Sequence, residues 1–305
     1  MCACRMFKGK QLADVVLRDV RHRIQLDGLR PKLAAILIGS NPSSKVYLSH
    51  KERACADVGI DSEIVELSEH VSNAVAERVI QEYSNRTDVH GILLQLPLPN
   101  HLDERFLCNV IPFDKDVDGL SPKSIGNLVY GQSIFVPPTA SAVCHTLAVE
   151  KINTFGAKIL IAGRSRHVGL PIALLLQGFR THPDLPMIGE ATISLAHRHT
   201  SEQNLIDMAR KSDVIISATG VPGLIKPDMV KNNAVLIDVG FTRKLTTQGR
   251  IRLMGDVHPS CKELASLMTP VPGGIGPLTI AHLCRNTLNA YLSARDKPLL
   301  PLASL

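Results

Sequence analysis

Residues 158–171 read KILIAGRSRHVGLP, an apolar run joined to a second apolar run through a turn bounded by two glycines. The first run is typical of a buried strand over 157–162, and the second predicts a helix that begins near Leu170. The turn from Gly163 to Gly169 would place backbone N–H groups and a helix N-terminus where a pyrophosphate binds. Because its spacing is not GxGxxG, the turn by itself fits an ordinary strand–helix connection as well as a dinucleotide site.

The next predicted strand, residues 191–196, bears on which dinucleotide would bind. It ends at His197-Arg198-His199, with no acidic residue there. An acid at this position usually binds the ribose 2′-hydroxyl of NAD, and it would repel a 2′-phosphate. Arg164 and Arg198 are instead suited to charge-assisted bonds with that phosphate, although a solvated basic turn explains either arginine alone. The pattern favours NADP.

Two further strands complete the second half of the chain. Residues 213–217 lead into Ala218-Thr219-Gly220, and residues 234–239 lead into a second glycine turn. Since the carboxyl ends of parallel strands meet at one edge of a sheet, we expect both turns beside the cofactor. Residues 178–190 carry two prolines and resemble an inserted surface loop.

The first half repeats the alternation of strands and helices. Strands are predicted over 32–39, 62–67 and 89–96, and helices over 72–84 and from Pro42 to Val58, with Asn41 as the N-cap.

A two-domain α/β protein follows from this alternation. Residues 111–138 are rich in proline, glycine and aspartate and show little periodicity, which predicts the crossing between domains. The first domain would then comprise residues 1–138 with 278–305, and a Rossmann-like second domain would comprise 139–277, beginning with a helix over 139–149. The last amphipathic helix, over about 278–294, is expected to return to the first domain.

Four polar residues of the first half are predicted to meet at one cleft. Tyr47 and Lys51 are four apart on one helix and therefore share a face, Gln95 ends a strand, and Asp118 lies in the crossing. An amine, an amide and a carboxylate around an aromatic ring suit a flat heterocycle and a proton transfer. Each residue also has a simpler explanation: a core edge for Tyr47, a surface lysine for Lys51 and a turn former for Asp118.

Near the C-terminus, residues 269–279 read TPVPGGIGPLT. Glycines leave the backbone bare for close approach of a ligand, and the flanking prolines limit the entropy lost on ordering. A structural turn uses similar residues, but the length of this run favours a ligand-binding loop.

Composition narrows the remaining classes of function. The chain has 305 residues, a formal net charge of +6 and no apolar run of the length that a membrane span needs. Its Lys and Arg residues are scattered, so small polyanions explain the charge as well as nucleic acid does, and no nucleic-acid or membrane partner is expected. The N-terminus lacks a secretory pattern, which predicts a cytoplasmic protein with a mitochondrial location as the alternative.

No metal or disulfide is expected. The seven cysteines form no CxxC pair and have mostly apolar neighbours, as buried thiols do. Asp114-Lys-Asp-Val-Asp-Gly119 imitates the start of an EF-hand loop, but the twelfth position is Ile125 instead of a bidentate glutamate.

Taken together, these motifs resemble the bifunctional methylenetetrahydrofolate dehydrogenase/cyclohydrolase family along nearly the whole chain. The matching segments, in order, are IGSNPSSKVYLSHK, GILLQLPLP, KDVDG, GRSRHVGLP, IDVGF, GDV and PVPGGIGPLT. The resemblance implies oxidation of 5,10-methylenetetrahydrofolate with NADP and hydrolysis of the methenyl product to 10-formyltetrahydrofolate. It also implies a homodimer and a folate substrate, with polyglutamylated folates included.

The resemblance further implies roles for individual residues. Lys51 is the catalytic lysine, Tyr47 stacks on the folate, Gln95 tunes Lys51 and Asp118 holds the pterin edge. The residues implied to contact the folate are Tyr47, Lys51, Leu94, Gln95, Leu96, Asp118, Pro272, Gly273, Gly274, Ile275 and Gly276, and those implied to contact the cofactor are Gly163, Arg164, Ser165, Gly169, His197, Arg198, Thr219, Gly220 and Phe241.

Two rival functions stay open at this point. One is a dehydrogenase of the same fold without hydrolase activity, which an altered Lys51 would have suggested. The other is a non-catalytic protein that binds folate or a dinucleotide, against which the presence of both complete sets of residues argues.

Overall fold

The computed structural model describes residues 4–178, 188–245 and 251–301 and divides them into two compact units. The first unit comprises residues 14–138 and 280–301, and the second comprises residues 4–13 and 139–279. Each unit is built on a parallel sheet, so the predicted two-domain α/β class is confirmed.

Within the described residues, the strands in chain order are β1 (Arg5–Met6), β2 (Lys32–Ile38), β3 (Asp61–Leu67), β4 (Gly91–Gln95), β5 (Lys158–Ala162), β6 (Thr192–Ala196), β7 (Val214–Ser217), β8 (Val235–Asp238), β9 (Thr242–Leu245), β10 (Ile251–Met254) and β11 (Leu267–Met268). The α-helices are α1 (Gly9–Leu26), α2 (Pro42–Val58), α3 (Asn73–Asn85), α4 (Glu104–Val110), α5 (Pro122–Val129), α6 (Pro138–Val149), α7 (Gly169–Gln177), α8 (Glu202–Lys211) and α9 (Ile275–Ser293).

In the first unit, three parallel strands in the order β3-β2-β4 are covered on both faces. Alternate residues of the central strand β2 point to opposite sides of the sheet. Leu33, Ala35 and Leu37 join a core with α1, α2 and α9, whereas Ala34 and Ile36 join a second core with α3 and α4. Burial on both faces explains why β2 reads as a continuous apolar run.

Helix α2 is fixed at both ends, and this fixes the face on which Tyr47 and Lys51 lie. Asn41 Oδ1 accepts hydrogen bonds from the Ser43 and Ser44 backbone N–H groups, at 2.9 and 3.3 Å. Pro42 fills the first helical position, where a missing N–H costs nothing. Gly59 ends the helix in the left-handed conformation, with φ of 88°. The predicted start and end of this helix are confirmed.

The second unit carries a six-stranded parallel sheet in the order β1-β11-β8-β7-β5-β6. Its core packs Leu160, Ile215 and Leu236 from three central strands against Ala209 of α8. The four strands predicted for this half are confirmed to within one residue at each end.

Two boundaries differ from the sequence-based expectation. The sequence predicts that residues 1–138 belong to the first domain. In the structure, strand β1 (Arg5–Met6) pairs with β11 at the edge of the larger sheet, which belongs to the second unit. A two-residue strand is too short to show a periodic pattern, and only its partner reveals its place. The C-terminal helix begins at Ile275 instead of residue 278, because the first turn accommodates Pro277 without losing a helical hydrogen bond.

The C-terminal helix does return to the first unit, as predicted. Leu283, Cys284 and Leu288 of α9 pack in the core that contains Leu33 of β2 and Leu48 of α2.

Four helices, α1, α4, α5 and α8, were not predicted. Helix α1 buries Leu12, Val16, Val20 and Ile24, a four-residue repeat that is visible in the sequence. Helix α5 lies inside the segment 111–138, which was expected to be irregular, and its N-cap is Ser121. A single apolar turn within a proline- and glycine-rich segment gives too little periodicity to predict a helix.

The expected inserted loop lies mainly outside the described residues, because 179–187 are not described. Its described ends are held together: the Glu190 N–H donates to the Gly178 carbonyl at 2.9 Å, and the Gly189 N–H donates to Thr154 Oγ1 at 2.9 Å. The cysteines of the described residues carry free thiols, and all of these except Cys4 are buried. Among the described helices, none combines the length and the apolar character that crossing a membrane requires.

Candidate functional site

A buried lysine forms the centre of a polar cluster in the first unit. Lys51, on α2, is only 8% exposed. Its Nζ donates a hydrogen bond to Oε1 of Gln95 at 3.1 Å, and Gln95 Nε2 donates in turn to the Leu96 carbonyl at 2.7 Å. Gln95 is the last residue of β4, so the end of a strand orients the amide that holds the amine.

The surroundings of Lys51 make its amine easier to deprotonate than that of an exposed lysine. Burial lowers the pKa of Lys51, and attraction to the Asp118 carboxylate opposes this without cancelling it. The Tyr47 ring lies one helical turn away, with its centroid 5.8 Å from Nζ. Burial also raises the pKa of the Tyr47 hydroxyl. An amine with a lowered pKa gives up its proton more readily than an exposed lysine does, which is a property expected of a residue that transfers a proton.

The loop that carries Asp118 is held by two buried residues that the sequence analysis did not identify. Asp116 accepts hydrogen bonds from the Leu120 N–H at 3.1 Å and the Ser121 N–H at 2.8 Å. Asn286 of α9 donates to the Val117 carbonyl at 2.8 Å. The KDVDG motif contained the signal for Asp116, but no local pattern indicates a contact 169 residues away along the chain.

Tyr47, Lys51, Gln95 and Asp118 are therefore brought together as expected. Leu94 is the exception among the residues proposed around them. Its side chain is buried with the α3–α4 core, on the face of β4 opposite to that of Gln95. Because side chains alternate between the two faces of a strand, only the backbone of Leu94 is available to a ligand beside Gln95. Leu96 is half-buried and lies just past the strand end.

The segment Pro272–Gly276 belongs to the second unit and follows β11. It contacts the start of α1: the Lys10 N–H donates to the Gly273 carbonyl at 3.1 Å. A Cβ added at Gly9 would lie 2.0 Å from the Gly274 carbonyl oxygen, so this contact requires glycine. Ile275 and Gly276, expected in a loop, are the first residues of α9.

A cavity of about 810 Å³ opens in the second unit at the carboxyl ends of β5, β6 and β7. Six of the predicted cofactor residues line it, namely Gly163, Arg164, Ser165, His197, Arg198 and Thr219. Gly169, Gly220 and Phe241 do not line it. Phe241 is 42% exposed and follows the turn after β8.

The glycine turn at this cavity fits the close approach of a pyrophosphate. Gly163 has φ of 115°, and a Cβ added there would lie 2.4 Å from the Ala218 carbonyl oxygen. A Cβ added at Gly169 would lie 1.8 Å from the Gly163 carbonyl oxygen, so the strand end and the start of α7 pack without side chains between them. The backbone is thus bare where phosphates would bind.

Cations surround the same cavity. Arg164, Arg198 and Lys226 line it, and the sequence analysis missed Lys226. Arg198 Nε donates to Nε2 of His199 at 3.3 Å, so the ring beside it orients the guanidinium. Glu202 is the carboxylate among the lining residues, and its Oε1 lies 3.9 Å from Lys226 Nζ. This balance of charge suits a phosphorylated ligand.

Comparison with known proteins matches both halves to one family. Residues 7–118 match the catalytic domain of tetrahydrofolate dehydrogenase/cyclohydrolase, and residues 137–295 match the NAD(P)-binding domain of the same family. The chain belongs to the tetrahydrofolate dehydrogenase/cyclohydrolase family. The predicted family resemblance is confirmed.

Individual members of this family are similar over nearly the full chain. The mitochondrial bifunctional methylenetetrahydrofolate dehydrogenase/cyclohydrolase 2 of Rattus norvegicus is 41% identical over 93% of this chain and 86% of that protein. The bifunctional protein FolD of Moorella thermoacetica is 40% identical over 94% of this chain and 98% of that protein. The structure of Trypanosoma brucei FolD, complexed with NADP cofactor and an inhibitor, superposes with a TM-score of 0.89 at 32% identity, covering 97% of this chain and 99% of that one.

The family's two domains correspond to the two clusters of residues described above. The Lys51 cluster falls within the catalytic-domain match, and the cavity at β5–β7 falls within the NAD(P)-binding match. In the part of the chain that the structure describes, no group of three or more His, Cys, Asp or Glu side chains is arranged to hold a metal ion.

Proposed function

We propose that this chain oxidises 5,10-methylenetetrahydrofolate to the methenyl form with NADP, and hydrolyses the methenyl form to 10-formyltetrahydrofolate. The observation that carries the proposal is the buried Lys51 amine, hydrogen-bonded to Gln95 and facing the charge of Asp118, in a member of this family. The same chain has a cavity of dinucleotide character in its NAD(P)-binding domain.

In the first reaction the protein binds and aligns, and bound NADP supplies the hydride acceptor. The bare turn from Gly163 to Ser165 would hold the pyrophosphate, and Arg164 and Arg198 would hold the 2′-phosphate by charge-assisted bonds. Because the folate nitrogens drive hydride transfer themselves, alignment is the main contribution of the chain to this step.

In the second reaction a water oxygen forms a bond to the cationic methenyl carbon. One proton of that water must pass to a base, and the second must pass to N5 as the bond between the carbon and N5 breaks, which leaves the formyl group on N10. Lys51 would accept the first proton when its amine is uncharged, a form that burial favours by lowering its pKa. Gln95 would keep the amine aimed at the carbon, and a cationic substrate would lower the proton affinity further.

Asp118 and Tyr47 would bind the pterin. A carboxylate is a strong acceptor for the paired donors of an amino-pyrimidinone edge, and an aromatic ring offers a stacking surface. Pro272–Gly276 would border the folate. The net charge of +6 supports attraction of polyglutamylated folates, which are polyanions.

The test is an absorbance assay of NADPH formation from 5,10-methylenetetrahydrofolate, run with NADP and with NAD and followed by measurement of methenyl hydrolysis. We expect NADPH to form and the methenyl product to decay faster than in buffer. A protein that binds both ligands but turns over neither would be a non-catalytic binder, and this result would contradict the proposal. NADPH formation together with methenyl hydrolysis at only the buffer rate would indicate a dehydrogenase without hydrolase activity.

We further propose a homodimer in the cytoplasm, with a mitochondrial location as the alternative. Light scattering would show twice the chain mass of 33.1 kDa for a dimer, and a single chain mass would contradict it. Fractionation of cells expressing the tagged chain distinguishes the two compartments.

A further inference from the structure

Two aspartates that no step above uses lie buried at the carboxyl edge of the larger sheet. Asp238 ends β8 and is 3% exposed, and Asp256 follows β10 and is 0% exposed. Burying two carboxylates close together is costly unless each is satisfied by donors. Burial, together with the neighbouring Asp256 charge, raises the pKa of Asp238 to about 7. Such a pair calls for a reason beyond packing.

Asp256 holds the turn that follows β7. Its Oδ2 accepts from Ser217 Oγ at 2.9 Å, from Thr219 N–H at 2.7 Å and Oγ1 at 2.8 Å, and from Gly220 N–H at 3.2 Å. Thr219 lines the candidate cofactor cavity. The other oxygen of Asp256, Oδ1, has no hydrogen-bond partner in the described part of the chain. One carboxylate oxygen therefore sets the conformation of this turn.

Asp238 in turn holds Asp256. Its Oδ1 accepts from the Asp256 N–H at 3.0 Å, and its Oδ2 accepts from the Val257 N–H at 2.9 Å. The Asp238 N–H donates to Thr269 Oγ1 at 2.7 Å, and Thr269 directly precedes the Pro270–Gly276 segment. A chain of buried hydrogen bonds thus joins the Ser217–Gly220 turn to Thr269, which lies three residues before the Pro272–Gly276 segment proposed to border the folate.

Two glycines allow the backbone to pack directly against these carboxylates. A Cβ added at Gly240 would lie 2.2 Å from the Asp256 carboxylate, and one added at Gly255 would lie 2.0 Å from Asp238 Oδ2. The backbone of the turn that leads to Phe241 is therefore packed directly on one of the carboxylates. Displacement of either carboxylate has to move the backbone with it.

We propose that Asp256 and Asp238 are positioning residues for the dehydrogenase reaction, which fix the Ser217–Gly220 turn and the start of the Pro270–Gly276 segment in one geometry. The inference rests on the proposed function, since it assigns the turn to NADP and the segment to folate. Methenyl hydrolysis measured without cofactor does not use the Ser217–Gly220 turn, so it should respond to Asp256 much less than NADP binding does.

The test compares Asp256→Asn with the wild type and with Asp213→Asn as a matched control. Asparagine keeps the shape of the side chain and one acceptor oxygen for the turn, but it removes the negative charge, so the hydrogen bonds from the turn lose their charge assistance. Asp213 lies just before the opposite end of β7, where it pairs with Lys231. NADP binding is measured by calorimetry, hydrolysis without cofactor by absorbance, and folding by thermal unfolding.

We expect Asp256→Asn to weaken NADP binding about tenfold, as loss of a charge-assisted hydrogen bond does, with hydrolysis changed less than twofold. Asp213→Asn should leave both unchanged. Unchanged NADP binding in folded Asp256→Asn protein, or equal losses of binding and hydrolysis, would overturn the inference.

A second variant covers the case in which Asp256→Asn does not fold. Ser217→Ala removes a single donor to Asp256 and should weaken NADP binding in the same direction by a smaller factor. Ser217→Ala protein that binds NADP as tightly as the wild type would then overturn the inference. Wild-type protein that binds NADP but does not reduce it with methylenetetrahydrofolate would instead contradict the proposed function. In that case the comparison of NADP binding between variants and wild type would still test the role of Asp256.

Discussion

At the scale of single residues, the site depends on which of two opposing effects prevails at Lys51. Loss of hydration favours the neutral amine, whereas the Asp118 carboxylate favours the ammonium. Burial prevails, and Gln95 offers a neutral acceptor in place of a second negative charge. This arrangement gives a lysine suited to proton transfer instead of one locked in an ion pair.

The types of residue at the site were predictable from the sequence, but their supports were not. Tyr47 and Lys51 share a helical face by their spacing, and the end of an apolar strand marks Gln95. Asn286 supports the Asp118 loop from a helix near the C-terminus, and no periodic pattern encodes that contact. Lys226 was missed because a lone lysine that belongs to no recognisable motif looks like any surface lysine.

The first prediction concerns cofactor choice. Arg198→Ala should weaken NADP binding by roughly 10–150-fold, because one charge-assisted contact to the 2′-phosphate is lost, and it should leave NAD binding nearly unchanged. Calorimetric titration with each dinucleotide measures both. Lys211→Ala, which removes an exposed charge from α8 outside the cavity, serves as the control. Equal losses for NADP and NAD would refute the role of Arg198.

The second prediction concerns the pterin. Asp118→Ala should raise the KM for folate by more than about tenfold, since a charged acceptor facing paired donors is removed, and it should hardly affect NADP binding. Asp114→Ala changes an exposed aspartate of the same motif and should leave the KM unaltered. If folate kinetics survived intact in Asp118→Ala, the residue would be a turn former only.

At the scale of elements, caps and two-sided burial made most of the sheet and helix pattern predictable. Asn41, Pro42 and Gly59 bound α2 by signals that are local in the chain. Helix α5 and strand β1 were not predicted because each is too short to establish a period. The start of α9 was displaced because a proline in the first turn resembles a loop in the sequence.

The third prediction concerns His90, which precedes β4 and ties it to β2. The Lys32 N–H donates to Nδ1 of His90 at 3.1 Å, and the ring packs on Tyr291 with centroids 4.7 Å apart. Burial, with repulsion from Arg295 and Lys115, lowers the pKa of His90 to about 4. The unfolded chain binds a proton below its ordinary pKa of 6.5, whereas the folded chain does not. Stability is therefore lost as the pH falls from about 6.5 to about 4.

His90→Asn should remove this part of the acid sensitivity. The Asn oxygen can replace Nδ1 as the acceptor for the Lys32 N–H, but it does not titrate. Between pH 7 and pH 4.5, the free energy of unfolding measured with urea should fall less in His90→Asn than in the wild type. The difference between the two decreases should be at most about 3 kcal/mol. His70→Asn, at an exposed histidine, should follow the wild type. A pH dependence of His90→Asn parallel to the wild type would contradict the assignment.

At the scale of the whole molecule, two sheets of different size divide the chemistry between two units. The first unit holds the Lys51 cluster, and the second holds the cofactor cavity. The division of the chain at Pro138 coincides with the end of a segment in which proline, glycine and aspartate interrupt the alternation of strands and helices. The place of residues 4–13 in the second unit depends on strand pairing with β11, which composition does not reveal.

This division predicts that the two reactions can be separated by a single substitution. Hydride transfer depends on alignment of two bound molecules, whereas hydrolysis depends on a titrating group beside the methenyl carbon. Lys51→Met keeps most of the apolar stem and removes only the amine, so α2 should stay folded. Lys45→Met makes the same change at an exposed position of the same helix and is the matched control.

The most direct test of the account is to record NADPH formation and methenyl hydrolysis on one sample of Lys51→Met protein whose native folding has been verified. We expect hydrolysis to fall by roughly 10²–10⁴-fold, as is typical for loss of a positioned acid or base, while NADPH formation falls much less and methenyltetrahydrofolate accumulates. Lys45→Met should retain both activities. Undiminished methenyl hydrolysis by Lys51→Met, above the rate in buffer, would contradict the proposed mechanism.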